Sequence, residues 1–141
     1  MTLKTQRRIW ASTTVAALTL GLALSVSMPA RASDANDGVQ CRALAQHLLD
    51  ALAQGDSRGA ARSFDSDMRS ALPPPKLAEL WHQVRQNYGE LKARGNVQTM
   101  RVNGMDVVIT PMQFSKSTLD AQIACNPKQQ IAGFFLRPVS A

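Results

Sequence analysis

"FDSDMRSALPPPKLAELWHQVRQNYG", Phe64 to Gly89, sets three prolines between two helix-like segments. After the prolines, Leu77, Leu80, Trp81, Val84 and Tyr88 recur at i, i+3, i+4, i+7 and i+11, one apolar stripe of a helix. Pro74 or Pro75 suits the first turn, where a missing N–H is no loss, and Gly89 supplies the stop. Before the prolines, Ala60, Ala61, Phe64 and Met68 share a face of a second helix. Leu72-Pro73 ends it, because a residue before proline is pushed out of the α region. Asp65 and Asp67 read here as local caps or solvated charges rather than a carboxylate pair. The prolines thus turn the chain sharply, so that two short helices cover one surface.

That surface is expected to be a sheet, and the sequence on either side supplies its parts. Upstream, Asp37 and Gln40 can form a capping box for a first helix with Leu44, Leu48, Ala51 and Leu52 on one stripe. Gly55 stops that helix, and Asp56 or Ser57 caps the next. Downstream the pattern changes to strands. Asn103-Gly104, a turn pair that accepts positive φ, joins "LKARGNVQTMRV" to "MDVVITPMQF" as a hairpin. "TLDAQIAC" alternates apolar and polar residues, and "QIAGFFLRP" closes the domain. Pro111 cannot donate to a ladder, so it marks an edge or a bulge; with Gly133 it bends the sheet. Three helices followed by a four-stranded antiparallel meander make an α+β domain with the helices on one sheet face.

The N-terminus addresses the compartment. Lys4, Arg7 and Arg8 precede the apolar run "VAALTLGLAL", and Ala30-Arg31-Ala32 fits the small-x-small rule for cleavage between Ala32 and Ser33. Residues 1–32 are therefore expected to be a signal peptide, 33–38 a short flexible lead-in and 39–139 the folded domain. Serines and threonines dilute the apolar run and Pro29 ends it, which disfavours a retained membrane anchor. The expected location is the periplasm or the medium. Four of the 16 Lys and Arg precede Ser33 while all ten acids follow it, leaving 12 against 10, a net +2. The remaining cations are interleaved with acids, which reads as a solvated surface and not as a nucleic-acid stripe.

Cys41 and Cys125 both lie beyond Ser33. In an oxidising compartment such a pair reads as a disulfide, the alternative being two buried thiols. A bridge would close a loop of 84 positions, for which chain entropy gives ~4 kcal/mol. Two cysteines and two histidines, His47 and His82, far apart and without ligand spacing, imply no metal site, and nothing in the sequence implies a cofactor.

"FDSDMRSALPPPKLAELW", "YGELK", "VVITPMQF" and "IAGFFLRP" together resemble the domain of unknown function DUF3887, over about Val39 to Val139. The matching places are Phe64, Asp65, Met68, Leu72, Pro73, Leu77, Trp81, Gly89, Phe114, Ile131 and Gly133. It is their order that is specific. The resemblance implies an NTF2-like (cystatin-like) fold, in which a curved sheet and helices enclose a cone. It also implies association with α/β-hydrolase domains, from which this chain departs by stopping at Ala141. Where family members often carry Asp-x-x-Gly, this chain has Cys125-Asn126-Pro127, placing a cysteine where a bridge to the first helix can form.

Catalysis finds little support. There is no G-x-S-x-G elbow. His47 borders its helix's apolar stripe, His82 points away from one, and Asp106 and Asp120 lie on strands without a visible paired donor. The aromatic and large apolar residues are more informative. Trp81, Tyr88, Met112 and Phe114 are candidates for a pocket or simply for the core. Phe134 and Phe135 are adjacent in a strand, so they face opposite sides, and one of them needs cover from outside the domain. The expected function is a non-enzymatic binding or interaction module of the cell envelope, working as a homodimer or on a small apolar ligand. The alternatives are an accessory domain of, or remnant from, an envelope hydrolase system, or a weak pocket enzyme.

Overall fold

The Asn103-Gly104 turn forms as its residue types dictate, with φ of 50° and 77°. It joins β2 (Gln98–Val102) to β3 (Met105–Phe114). On the other side of β3 lie β4 (Thr118–Cys125) and then β5 (Ile131–Pro138), both antiparallel to their neighbours. A further strand, β1 (Leu91–Arg94), pairs with the end of β3 on the same side as β2. The computed structural model describes the backbone of residues 30–139 and the side chains of residues 36–139. Within it the sheet has five strands where four are expected.

Gly95 is the reason for the extra strand. Its N–H donates to the Pro111 carbonyl at 2.7 Å, and a Cβ on Gly95 would come within 3.1 Å of the proline ring. The chain breaks at this close approach, and 91–102 becomes two strands instead of one. In an extended strand the N–H and C=O of one residue point to the same side. The missing donor of Pro111 therefore falls into the break. Pro111 sits in an interior strand, opposite an interrupted neighbour, where an edge or bulge is expected from the sequence.

The helices also depart from the simple reading. α1 spans Ala30–Ala53, so Asp37 lies inside the helix and does not cap it. Residues 33–38, expected as a loose lead-in, are helical; no proline among them removes an N–H or clashes with the preceding turn. Residues 1–29, which carry most of the expected signal peptide, lie outside the described residues, as do the Ala32 and Ser33 side chains. The end of α1 is as expected. Gly55 takes φ 77°, its N–H bonds the Leu52 carbonyl at 3.0 Å and the Asp56 N–H bonds the Ala51 carbonyl at 2.8 Å, the two bonds of a Schellman stop.

The expected second helix is broken into three pieces: α2 (Ser57–Ala60), a 3₁₀ turn (Ala61–Ser63) and α3 (Ser66–Ala71). Two competing interactions split it. Phe64 is extended and bridges to Ile131, and the Asp65 N–H donates to the Ile131 carbonyl at 2.9 Å. The Asp65 carboxylate then caps α3, accepting the Met68 N–H at 2.8 Å. Asp56 caps α2 in the same way through the Gly59 N–H at 2.8 Å. α4 (Pro74–Tyr88) follows with prolines in its first turn and Gly89, φ 84°, at its end.

All these helices lie on one face of the sheet. Alternation along β3 and β4 buries Asp106, Val108, Thr110, Met112 and Phe114, and Leu119, Ala121, Ile123 and Cys125. Leu48, Leu49, Leu52, Phe64 and Leu77 meet them as fully buried side chains. Cys41 on α1 and Cys125 at the end of β4 are joined by a disulfide, their Cα atoms 5.8 Å apart. It ties the first helix to the sheet across the core.

Candidate functional site

Four of the residues expected to line a pocket or the core occupy the inner face. Trp81, Met112 and Phe114 are buried and Tyr88 is half-buried. The rings of Trp81 and Tyr88 stand 5.9 Å and 6.4 Å from that of Phe114, at 59° and 50°, the tilted packing that aromatic quadrupoles favour. Met112 is 0% exposed and no described cavity contains it. The space between helices and sheet is filled by side chains at this point.

Among the described residues, two open surfaces bear most on function. The first is the outer face of the sheet. Cross-strand partners share a face, so Met100, Val107, Ala124 and Gly133 stand in one row. By the same register Val102, Met105, Ile109, Pro111 and Phe135 lie around them, with Gln98 and Gln122 in the row of Ile109 and Phe135. Phe135 is 55% exposed while its neighbour Phe134 is 8% exposed, so the pair splits between the faces as expected. The Phe135 ring lies against Gly133, where a Cβ would come within 3.0 Å of it. Met100 and Val102 are also exposed. Asp120 and Arg137 oppose each other at one end of this face.

The second surface is a groove of about 470 Å³ between α4 and the turn joining α1 to α2. Ala78, His82, Arg85 and Gln86 form its α4 wall, spaced on a second stripe beside the buried one, and Gly89 follows at the helix end. Leu52, Gly55 and Ser57 face them, with Trp81 and Glu90 completing the lining. Local hydrogen bonds hold this end of α4 in place. The turn after β3 donates from the Lys116 N–H to the Tyr88 carbonyl at 3.0 Å and from the Ser115 N–H to the Glu90 carbonyl at 2.9 Å. A side chain at Gly89 would run into the Ser115 hydroxyl. Arg85 pairs with Glu90 at 3.2 Å, and Lys92 approaches the same carboxylate at 3.9 Å.

The titratable residues singled out from the sequence do not converge. Asp106 is buried on the inner face, 3.7 Å from Arg101, whereas Asp120 lies on the outer face. Asp65 is a cap, and also accepts from Asn126 Nδ2 at 3.4 Å; Asp67 stands exposed in the first turn of α3. His47 is exposed on α1 and His82 is exposed at the groove. Among the described residues, no three His, Cys, Asp or Glu side chains are grouped to hold a metal ion, and no helix is long and apolar enough to cross a membrane. Sequence reasoning missed the groove. Its α4 stripe mixes one alanine with histidine, arginine and glutamine, which is also how a solvated helix face reads.

The family model described as "Protein of unknown function (DUF3887)" matches residues 45–134. No curated protein and no solved structure matches the chain.

Proposed function

The chain belongs to the DUF3887 family, and from that premise we propose that it is an exported, NTF2-like contact module that works by binding and not by catalysis. The observation that carries this reading is the outer sheet face. Among the described residues, helices cover only the inner face, and a sheet with apolar residues on both faces is normally covered on both. Phe135, Met100 and Val102, each more than 40% exposed, rise from a half-buried apolar floor of Val107, Ile109 and Ala124.

The occupant we assign to this face is a second copy of the chain. A two-fold contact makes one apolar patch its own complement. Asp120 and Arg137, one acid and one base in register at the same end, can meet their opposites across such an axis. The contact would bury on the order of 1,200–2,000 Å² if stable. Sedimentation tests it: the dimer should dissociate on Phe135→Asp with the fold retained. A wild-type monomer at high concentration would remove the self-association reading.

Export rests on the order of charge, apolar run and Ala-x-Ala before Ser33, together with a disulfide of the kind that persists in oxidising compartments. N-terminal sequencing of envelope material should recover Ser33; Met1 or Thr2 on membrane-bound protein would end this part. The NTF2-like assignment is supported by helices set against one face of an antiparallel sheet interrupted at Gly95 and shifted in register between Ala124 and Cys125. The cone in this reading is closed by Met112, Leu77 and Phe64, which moves binding to the outside of the domain.

A further inference from the structure

We propose that the open edge of β5 pairs with the β5 edge of a second copy of the chain, joining two sheets into one. This contact is separate from the one assigned to the outer sheet face and uses backbone groups that a face contact leaves alone.

Hydrogen-bond parity identifies the edge. β5 ends the strand order, with β4 as its neighbour. The Val139 N–H donates to the Thr118 carbonyl at 3.1 Å, so it turns toward β4. In an antiparallel pair the N–H and C=O of one residue share a side, and successive residues alternate. Arg137 and Phe135 therefore turn to β4, opposite Asp120 and Gln122, while Phe134 and Leu136 turn their backbone groups away from it. Both ends of this outward row are closed. The Ile131 carbonyl accepts the Asp65 N–H at 2.9 Å, and Pro138 has no N–H to give. Among the described residues, no strand lies beside the stretch 134–136 on that side. A groove of about 390 Å³ runs along it. Phe134 and Leu136 point to one sheet face and Phe135 and Arg137 to the other, yet all four line this groove, with Leu80 and Tyr88 of α4 across from them. Leu80, Tyr88 and Leu136 are half-buried and Phe135 is exposed, so apolar area is left to cover.

Register makes the edge its own complement. A two-fold axis at Phe135, normal to the sheet, sets Phe134 opposite the partner's Leu136 and Leu136 opposite the partner's Phe134. Each copy then gives both outward N–H groups and receives both through its carbonyls, as hydrogen-bonded antiparallel pairs do. The two Phe135 side chains meet on the outer face as a non-hydrogen-bonded pair, the closer kind. On the inner face the half-buried Leu136 comes beside the partner's Phe134. The two Arg137 positions stay about 14 Å apart along the strands, beyond the ~8 Å screening length of physiological salt.

Area matches a second copy. β5 has eight residues, about 27 Å of strand, and a sheet with one helix layer is about 20 Å tall. Pairing along this edge buries about 550 Å² on each copy, about 1,100 Å² in all, just above the roughly 1,000 Å² that a specific interface needs. The contact is therefore weak and concentration-dependent. Its axis is normal to the sheet, whereas that of a face contact lies in the sheet plane, so the two can coexist and close a tetramer.

Hydrogen exchange of the full chain across a concentration series tests the contact. The Phe134 and Leu136 amides should exchange at least about tenfold more slowly in concentrated than in dilute protein. The Phe135 and Arg137 amides, which turn to β4, should change less. Met100→Asp lies on the outer face away from β5 and removes the face contact only, so this variant should still sediment as a monomer–dimer mixture. Adding Leu136→Pro should abolish that dimer with the fold kept, because it removes an N–H turned away from β4 and edge strands accept proline. Fast exchange of both amides at every concentration would overturn the proposal. Protection already complete in dilute protein would overturn it too, by placing a segment of this same chain on the edge, as would protection that appears only when another protein is added. Association of the Met100→Asp chain left unchanged by Leu136→Pro would count equally against it. If Leu136→Pro fails to fold, the exchange series on the wild type decides. Failure of the outer-face reading leaves both results as expected, so the two contacts are told apart.

Discussion

The two faces of the sheet are built from the same strands yet are used differently. The inner face of β3 and β4 alternates with the outer one residue by residue, as the pleat requires. Inside, Val108, Met112, Ala121 and Ile123 are 0% exposed beneath the helices. Outside, Val107, Ile109 and Ala124 are only half-buried, and Phe135 projects among them. Both faces carry apolar side chains, the outer one mixed with Gln98, Gln122, Asp120 and Arg137, and they differ most in cover. The inner face stores the stability of the fold, while the outer face holds apolar side chains that the described residues leave exposed. The difference teaches that apolar character alone does not locate the core, because a helix layer can cover only one side.

Substitutions should divide along the same line. Trp81→Ala removes a buried aromatic that packs on Phe114 and should destabilise by about 3–5 kcal/mol. Urea unfolding would show it as a lowered midpoint at unchanged slope; a loss below about 1 kcal/mol, typical of surface sites, would break the comparison. Cys41→Ala, with Cys125→Ala beside it, releases the tie between α1 and the sheet. The pair should lose roughly 2–4 kcal/mol in the same measurement, and the wild type should show no alkylatable thiol when denatured without reductant.

Smaller effects sharpen the boundary. Asp65→Ala removes the cap of α3 and its contact with Asn126, for which about 1 kcal/mol is expected. Hydrogen exchange should speed up at the Met68 amide, its hydrogen-bonded donor. Phe135→Asp should change monomer stability by no more than about 0.5 kcal/mol, although it replaces a phenylalanine. Its effect belongs to sedimentation, where the self-association should disappear. If Phe135→Asp instead unfolds the monomer, the outer face is part of the core and the contrast drawn between the two faces is wrong.

Much of this architecture was legible in single residues. The α4 stripe of Leu77, Trp81 and Val84, the stop at Gly89, the turn at Asn103-Gly104 and the alternation through Cys125 are local signals, set by periodicity and by residues with unusual φ. Those local rules also misled. Ala60, Ala61, Phe64 and Met68 have helical spacing, yet Phe64 leaves the helix because Ile131, 67 positions later, offers its backbone a partner. The break at Gly95 depends on Pro111 sixteen positions away. Neither partner can be identified from the neighbourhood of the residue it acts on.

The amino-acid sequence by itself determined the α+β order, the stops at Gly55 and Gly89, the turn at Asn103-Gly104, and the opposite placement of Phe134 and Phe135, since each follows from short-range sterics and pleat geometry. Tertiary structure alone decided which apolar residues are covered and where the groove opens. The cause is the same in both cases. Burial and concavity arise from elements distant in the chain, such as α1 against β3 and α2 against α4. A residue such as Arg85 or Val107 carries no local mark of what another segment will place, or fail to place, against it.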